Sequence, residues 1–372
     1  MKITRIEPIP INVPLKKGLT TKTAHGEHID SPYVLVRVHT DEGLIGLGEA
    51  TVAPRWSGET SVGCVEALRN FLGPAICGED PTRVSLVRQK MDRVLKLNPF
   101  TKAAVEMALW DLAGKAAGVP VYQLLGGLLH DEVPIKMVVG AFGIDKACSL
   151  SERFLDWGVK CLKVKVGLDP AGDLARVKAV RELAGPGIPI GIDANCGWNA
   201  AQARRMLARL EELDILFAEQ PVGVHDPATM ADVRRSTTIP IMADESIFTL
   251  NDAFHLTRHH AADILSVYPG KHGGVQATLE IGHVARAAGI VCAMGSNLEL
   301  GVGTAAMLHL AVAEPSIDSE TYPADLLGPL YHDADMITEP LSIGPVTAKP
   351  PSGPGLGVEL DEDQLTRYRT DT

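Results

Sequence analysis

Cys161-Leu162-Lys163-Val164-Lys165-Val166, Pro189-Ile190-Gly191-Ile192-Asp193-Ala194-Asn195 and Ile215-Leu216-Phe217-Ala218-Glu219-Gln220-Pro221 decide the fold. Each is a short apolar run that ends on a polar or charged residue, and amphipathic stretches such as Ala201 to Leu213 lie between them. The same grammar extends in both directions, through Val133 to Val139, Ile239 to Ala243, Ile264 to Tyr268 and Ile290 to Met294, with Val275 to Ala288 as another helix. Apolar strands alternating with helices imply a parallel sheet joined by crossover helices. Lys165, Asp193, Glu219, Asp244 and Tyr268 recur at the carboxyl ends of successive strands, roughly every 25 residues. An open doubly wound sheet would spread these ends along an edge, whereas a closed barrel gathers them around one mouth. The barrel is the economical reading. No Gly-rich dinucleotide fingerprint or phosphate loop competes with it.

Before Gly126-Gly127 the grammar differs. A strand from Ile3 to Val13, a polar loop from Pro14 to Asp30, and alternating residues that lead to Thr40-Asp41-Glu42-Gly43 read as a hairpin. Helical periodicity follows near Ser61 to Leu72, Thr82 to Leu97 and Thr101 to Ala117, the last ended by Gly118-Val119-Pro120. Residues 1–128 are therefore expected to form an α+β domain and 129–324 the barrel. The tail from 325 to 372, with a terminal helix near Asp361 to Tyr368, returns to the first domain.

A 372-residue chain can bury a sizeable core, and 45% apolar with 22% charged residues is an ordinary globular composition. A net charge of -11 argues against nucleic-acid or anionic-membrane partners. Six scattered cysteines, Cys64, Cys77, Cys148, Cys161, Cys196 and Cys292, carry no paired metal or disulfide spacing and read as reduced. No stretch is apolar and long enough to span a bilayer, and no signal segment is seen, so the cytoplasm is the expected location.

The chemistry concentrates in Asp193, Glu219 and Asp244. A single acid after a strand is often only a helix cap. Three that end successive apolar strands would be costly to half-bury without cations. All-oxygen ligation without His or Cys suits Mg²⁺ or Mn²⁺ rather than zinc. On the strand before them, alternation points Lys163 and Lys165 to the same inner face. Their mutual repulsion is expected to favour the neutral form of each, as a general base requires. Other candidates are weaker: His259-His260 falls on a helix, His272 has no assigned place, and Ser246 lacks a nucleophile elbow.

This constellation, Lys-x-Lys followed by Asp-x-Asn, Glu-Gln-Pro and Asp-Glu-Ser, resembles the enolase superfamily, specifically its muconate-lactonizing subgroup. Ala104 to Lys115, Leu124-Leu125-Gly126-Gly127, Gly328-Pro329-Leu330, Glu339-Pro340 and Gly353 to Gly357 extend the likeness over nearly the whole chain. The resemblance implies a modified TIM barrel of (β/α)7β type with an N-terminal α+β capping domain. It also implies Mg²⁺ held by Asp193, Glu219 and Asp244, Lys165 as base or acid, and Lys163 assisting by charge. Such sites pair a Lys or His base with one or two Mg²⁺ ions. Asn195 and Glu299 would neighbour metal and substrate, the loops Leu15 to His28 and Thr51 to Thr60 would select a small carboxylate, and the chain would form a homo-oligomer, dimer or octamer. Members with two opposed lysines carry the second at the end of the sixth strand, where Tyr268 stands here. Lys271, three residues on, matches a loop cation that is usually not catalytic and is expected beside the substrate.

A substrate carboxylate beside the metal acidifies the adjacent C–H, so Lys165 can remove or return that proton. Without a lysine opposite, two-lysine racemisation is disfavoured. A muconate-type cycloisomerase is the leading expectation, with β-eliminating dehydratase or epimerase as alternatives. A silent binding barrel would have lost Lys165 or one of the trio. An aldolase would need a Schiff-base lysine, and metal hydrolases usually bring His ligands.

Overall fold

The computed structural model describes residues 1–224 and 226–371. The chain opens with β1 (Ile3–Pro10) and a small hairpin of β2 (Thr21–Thr23) and β3 (Gly26–His28), followed by β4 (Val34–Thr40) and β5 (Ile45–Ala50). β1, β4 and β5 form an antiparallel sheet, with β4 central. The hairpin lies inside the stretch expected to be loop. Its pairing of Thr23 with Gly26 leaves Ala24 and His25 as a two-residue turn.

Three helices complete the capping domain: α1 (Ser61–Ala67), continued by a π-helical turn at Leu68–Leu72, α2 (Val84–Val94) and α3 (Pro99–Ala117). α3 is buried on nearly every side, as an all-round apolar helix must be. Pro99 opens it, the Glu59 carboxylate accepts from the N–H groups of Phe100 and Thr101, and Gly118 ends it in the left-handed region at φ 70°. Gly46 and Gly48 let β5 lie directly on its backbone. A Cβ at Gly48 would stand 1.7 Å from the Ala104 carbonyl oxygen.

Seven parallel strands follow in sequential order: β6 (Met137–Val139), β7 (Leu162–Lys165), β8 (Ile190–Asp193), β9 (Ile215–Glu219), β10 (Ile241–Ala243), β11 (Ile264–Val267) and β12 (Val291–Met294). Their crossovers are α4 (Ile144–Trp157), α5 (Pro170–Ala184), α6 (Ala200–Leu210), α7 (Pro227–Arg234), α8 (Leu250–Arg258) and α9 (Val275–Ala287). Residues 316–325 hydrogen-bond to both edges of this sheet, through Cys292 on one side and Pro134 and Lys136 on the other, and so close the ring. This is the expected modified (β/α)7β barrel with an N-terminal cap. After α10 (Gly301–Ala311), the tail returns to the cap, where Leu356, Val358, Leu360 and Leu365 join a core with Ile9, Ile11 and Leu35. No helix among the described residues is long and apolar enough to cross a membrane, and all six cysteines are free.

Candidate active site

Parallel register sets Lys165 beside Asp193 and Asp193 beside Glu219, while Asp244 stands just past the end of β10. The backbone after these strands is strained in the way functional strand ends often are. Asn195, Cys196 and Gln220 all have positive φ, at 42°, 65° and 36°. Side-chain bonds offset that strain. The Asn195 N–H donates to Asp193 Oδ1 at 2.8 Å, and Gln220 Oε1 accepts from the N–H groups of Asp244 and Ser246. Gln220, next to Glu219, thus aims the next strand's Asp244, which explains in part why Glu-Gln and Asp-Glu-Ser occur together.

These ends open into a cavity of about 340 Å³, lined from the barrel by Lys163, Lys165, Asp193, Asn195, Glu219 and Asp244, and from the cap by His25, Arg55 and Trp56. The structure brings this expected barrel group to one cavity. Sequence reasoning missed Asp325, which also lines the cavity although the expected boundary gave residue 325 to the tail. Its N–H bonds to Met294 O, and its carboxylate accepts from Lys163 Nζ at 2.5 Å. Lys136, another omission, lies buried 3.3 Å from the second oxygen of Asp325 and donates to Pro323 O. A lysine inside the apolar run Val133 to Val139 was the available signal.

Lys163 is not pushed toward its neutral form as expected. Lys163 donates to Glu219 at 2.8 Å and to Asp325, and lies 3.8 Å from Asp193. Burial works to lower its pKa, but Asp325, Glu219 and Asp193 outweigh it and hold the ammonium well above its ordinary value. The carboxylates interleaved between the lysines are the reason. Lys165 Nζ lies 2.5 Å from Asp193 Oδ2 and 3.0 Å from Asn195 Oδ1.

Lys271, expected near substrate, is fully buried and absent from the cavity wall. Its ammonium is spent on Asp244 Oδ1 at 2.5 Å, Asp244 O at 3.0 Å and Ser266 O at 2.7 Å. Glu299 is likewise buried behind the wall, accepting from Ser296 Oγ and the Asn297 N–H. Tyr268, expected to be catalytic, follows β11, four strands from β7 in the ring and so across the barrel from Lys165, but like Lys271 it is buried and absent from the cavity wall. Its ring packs against Trp56 and Phe100, with centroids 6.1 and 6.5 Å away. Burial, reinforced by Asp244 and Glu299, raises the phenol well above its ordinary pKa, so it is neutral. His272 is buried and neutral against Phe248 O.

Among the described residues, no three His, Cys, Asp or Glu side chains stand around one common point as placed. Each acid of the trio is turned to an ammonium instead. Their chemistry nevertheless fits a hard divalent cation. The donors are all oxygen, and burial, with Asp193, Asp244 and Asp325 adding to it against the pull of Lys163, pushes Glu219 up to about 8. The pocket holds more negative charge than its lysines balance. Asp193, although buried, is held below its usual value by Lys165 and Lys163.

Residues 147–364 match the family described as enolase C-terminal domain-like, and residues 5–126 match the N-terminal domain of the mandelate racemase / muconate lactonizing enzyme family. The chain is 33% identical over 366 residues to the N-succinyl-L-Arg/Lys racemase of Bacillus cereus, covering 98% of this chain and 97% of that one. The crystal structure of that racemase gives a TM-score of 0.95 at 32% identity, covering 100% of this chain and 98% of that one. Muconate cycloisomerase 1 of Rhodococcus opacus is 34% identical over 372 residues, with 98% and 96% covered. The dipeptide epimerase of Enterococcus faecalis, solved with Mg and the dipeptide L-Leu-L-Tyr, gives a TM-score of 0.91 at 31% identity, with 96% and 100% covered. Likeness of this extent over both domains, together with a barrel mouth built from Lys163, Lys165 and three strand-end acids, makes the chain an enzyme of the enolase superfamily, in its muconate-lactonizing subgroup.

Proposed function

We propose that this enzyme moves a proton at the carbon next to the carboxylate of a small substrate, from one face, with Lys165 as the only base. Asp193, Glu219 and Asp244 would hold Mg²⁺. When bound, the ion supplies positive charge beside the substrate carboxylate and so makes the neighbouring C–H acidic. Lys163, kept charged by Glu219 and Asp325, adds fixed positive charge where negative charge grows in the transition state. Lys165 takes or delivers the proton, and Asn195 holds its ammonium in line. Trp56 and Arg55 from the cap cover the cavity and limit its occupant to a small molecule.

The observation that carries this reading is Tyr268 across the barrel from Lys165. A neutral phenol cannot take a proton as a lysine amine can, so proton traffic is one-sided. Muconate-type cycloisomerisation needs only one side and is the reading we favour. Epimerisation is the second reading, since the racemase and the cycloisomerase match this chain about equally well. In that reading Tyr268 would have to reach the substrate to return a proton from the far face.

The test is NMR of α-proton exchange in D₂O with Mg²⁺ across muconolactones, hydroxy acids and N-acyl amino acids, using wild type and Lys165→Ala. Exchange should require Mg²⁺ and fall by about 10³-fold in the variant, within the range for a lost general base. Exchange that survives Lys165→Ala would sink the assignment. Net inversion at the α-carbon would select the epimerase.

A further inference from the structure

A chain of hydrogen bonds runs from the tip of the cap hairpin to the base. His25, in the turn between β2 and β3, lies with Nε2 2.8 Å from Glu245 Oε1. Asn195 Nδ2 donates to that same oxygen at 3.0 Å, and Asn195 Oδ1 accepts from Lys165 Nζ, also at 3.0 Å. The asparagine orientation is fixed at both ends, because a carboxylate needs a donor and an ammonium needs an acceptor. Neither Asp nor Leu at 195 could serve both neighbours.

Glu245 is buried, and its other oxygen, Oε2, has no partner. His25 and Asn195 are therefore the donors that satisfy it, and losing one leaves a buried carboxylate short of hydrogen bonds, which is costly. The hairpin has little stability of its own, since two strands of three residues do not hold alone in water. Its other ties near the tip are Ala141 N–H to Lys22 O at 2.7 Å and Arg55 Nη1 to His25 O at 3.4 Å. The hairpin lines the cavity through Thr21, Thr23, His25 and Gly26, so its position and the satisfaction of Glu245 are linked.

We infer that His25 is a positioning residue: seating the hairpin places His25 on Glu245, which fixes Asn195 and through it the ammonium of Lys165. The base is then aligned only when the cap is closed over the cavity. This rests on Lys165 being the base for its meaning, although the coupling itself does not.

The coupling is tested on the full-length protein in Mg²⁺-containing buffer by trace acetylation with acetic anhydride, read by mass spectrometry as the ratio of Lys165 to Lys163 labelling. Lys163 shares the cavity but bonds to neither Asn195 nor Glu245, so its labelling serves as the internal reference for entry of the reagent. His25→Ala should raise the ratio at least about threefold, because an amine that loses a charge-assisted partner is freer to react. His25→Gln, which keeps a donor for Glu245, should bring the ratio back toward wild type. A ratio unchanged in His25→Ala, whether both lysines rise together or neither does, would overturn the inference, as would a failure of His25→Gln to rescue. If the ratio moves while Lys165→Ala keeps α-proton exchange, the coupling stands and the assignment of the base falls.

Discussion

Lys271 places its ammonium 2.5 Å from Asp244 Oδ1, with no exposed surface of its own and the Tyr268 ring 4.8 Å away. It balances one acid of the trio from behind the wall, where solvent and substrate do not reach. Removing it should therefore act on folding and metal affinity before it acts on proton transfer. Lys271→Met is expected to destabilise the metal-free protein by about 3–5 kcal/mol, the usual cost of breaking a buried pair. Mg²⁺ should recover part of that loss. In wild type, an ion at 100 times its dissociation constant adds about 2.7 kcal/mol. Urea unfolding with and without Mg²⁺ measures both, and an unaltered midpoint in the variant would contradict this account of Lys271.

Tyr268→Phe separates the two proposed reactions. The change removes one hydroxyl and leaves the packing on Trp56 and Phe100 in place. If proton traffic is one-sided through Lys165, turnover should stay within about tenfold of wild type, since no general acid is lost. A fall of about 10² or more, with exchange on the Lys165 face intact, would make Tyr268 the second proton donor.

Much of this site was legible because its chemistry repeats with the barrel. An apolar run ending in Asp193, Glu219 or Asp244 announces both a strand and the mouth it faces. Asp325 was not legible in that way. Its segment, residues 316–325, closes the ring through isolated bridges rather than a regular strand, and the acid follows Tyr322-Pro323-Ala324, without the apolar run of the others. Lys163 was misjudged because sequence shows which side chains share a face, but not that Glu219 and Asp325 both accept from its ammonium. His25 escaped notice for a related reason. Its meaning depends on Glu245, 220 residues away, and on a hairpin whose two strands have three residues each.

Within the cap, β5 rests directly on the backbone of α3, which makes Gly48 intolerant. Its Cβ would lie 1.7 Å from Ala104 O, and at Gly46 the corresponding distance to Ala108 O is 2.2 Å. Neither obstacle is a side chain that can swing aside. Gly48→Ala should cost about 3 kcal/mol or more, at the upper end of overpacking effects. Gly187→Ala, where a Cβ meets nothing within 4 Å, is the control and should stay within about 0.5 kcal/mol. Equal urea midpoints for the two variants would mean that β5 can lift from α3 freely.

Glu49 gives the contact between β5 and α10 a pH dependence. It is buried at the end of β5, and its two oxygens accept from the N–H groups of Leu300, at 2.6 Å, and Gly303, at 2.8 Å, in the first turn of α10. Burial pushes its pKa from 4.5 to about 8 against those bonds, with Glu299 adding to the rise. The folded state thus binds a proton that the unfolded chain gives up near 4.5. Stability from this group is fully present below 4.5, declines as pH rises, and is gone above about 8. Glu49→Gln cannot ionise, so its unfolding free energy should fall less steeply over this window, by at most about 1.4 kcal/mol per pH unit. Urea unfolding of both proteins at a series of pH values across it measures the difference. Parallel curves would mean that the helix N-terminus holds Glu49 ionised in the folded protein and that burial has been offset there.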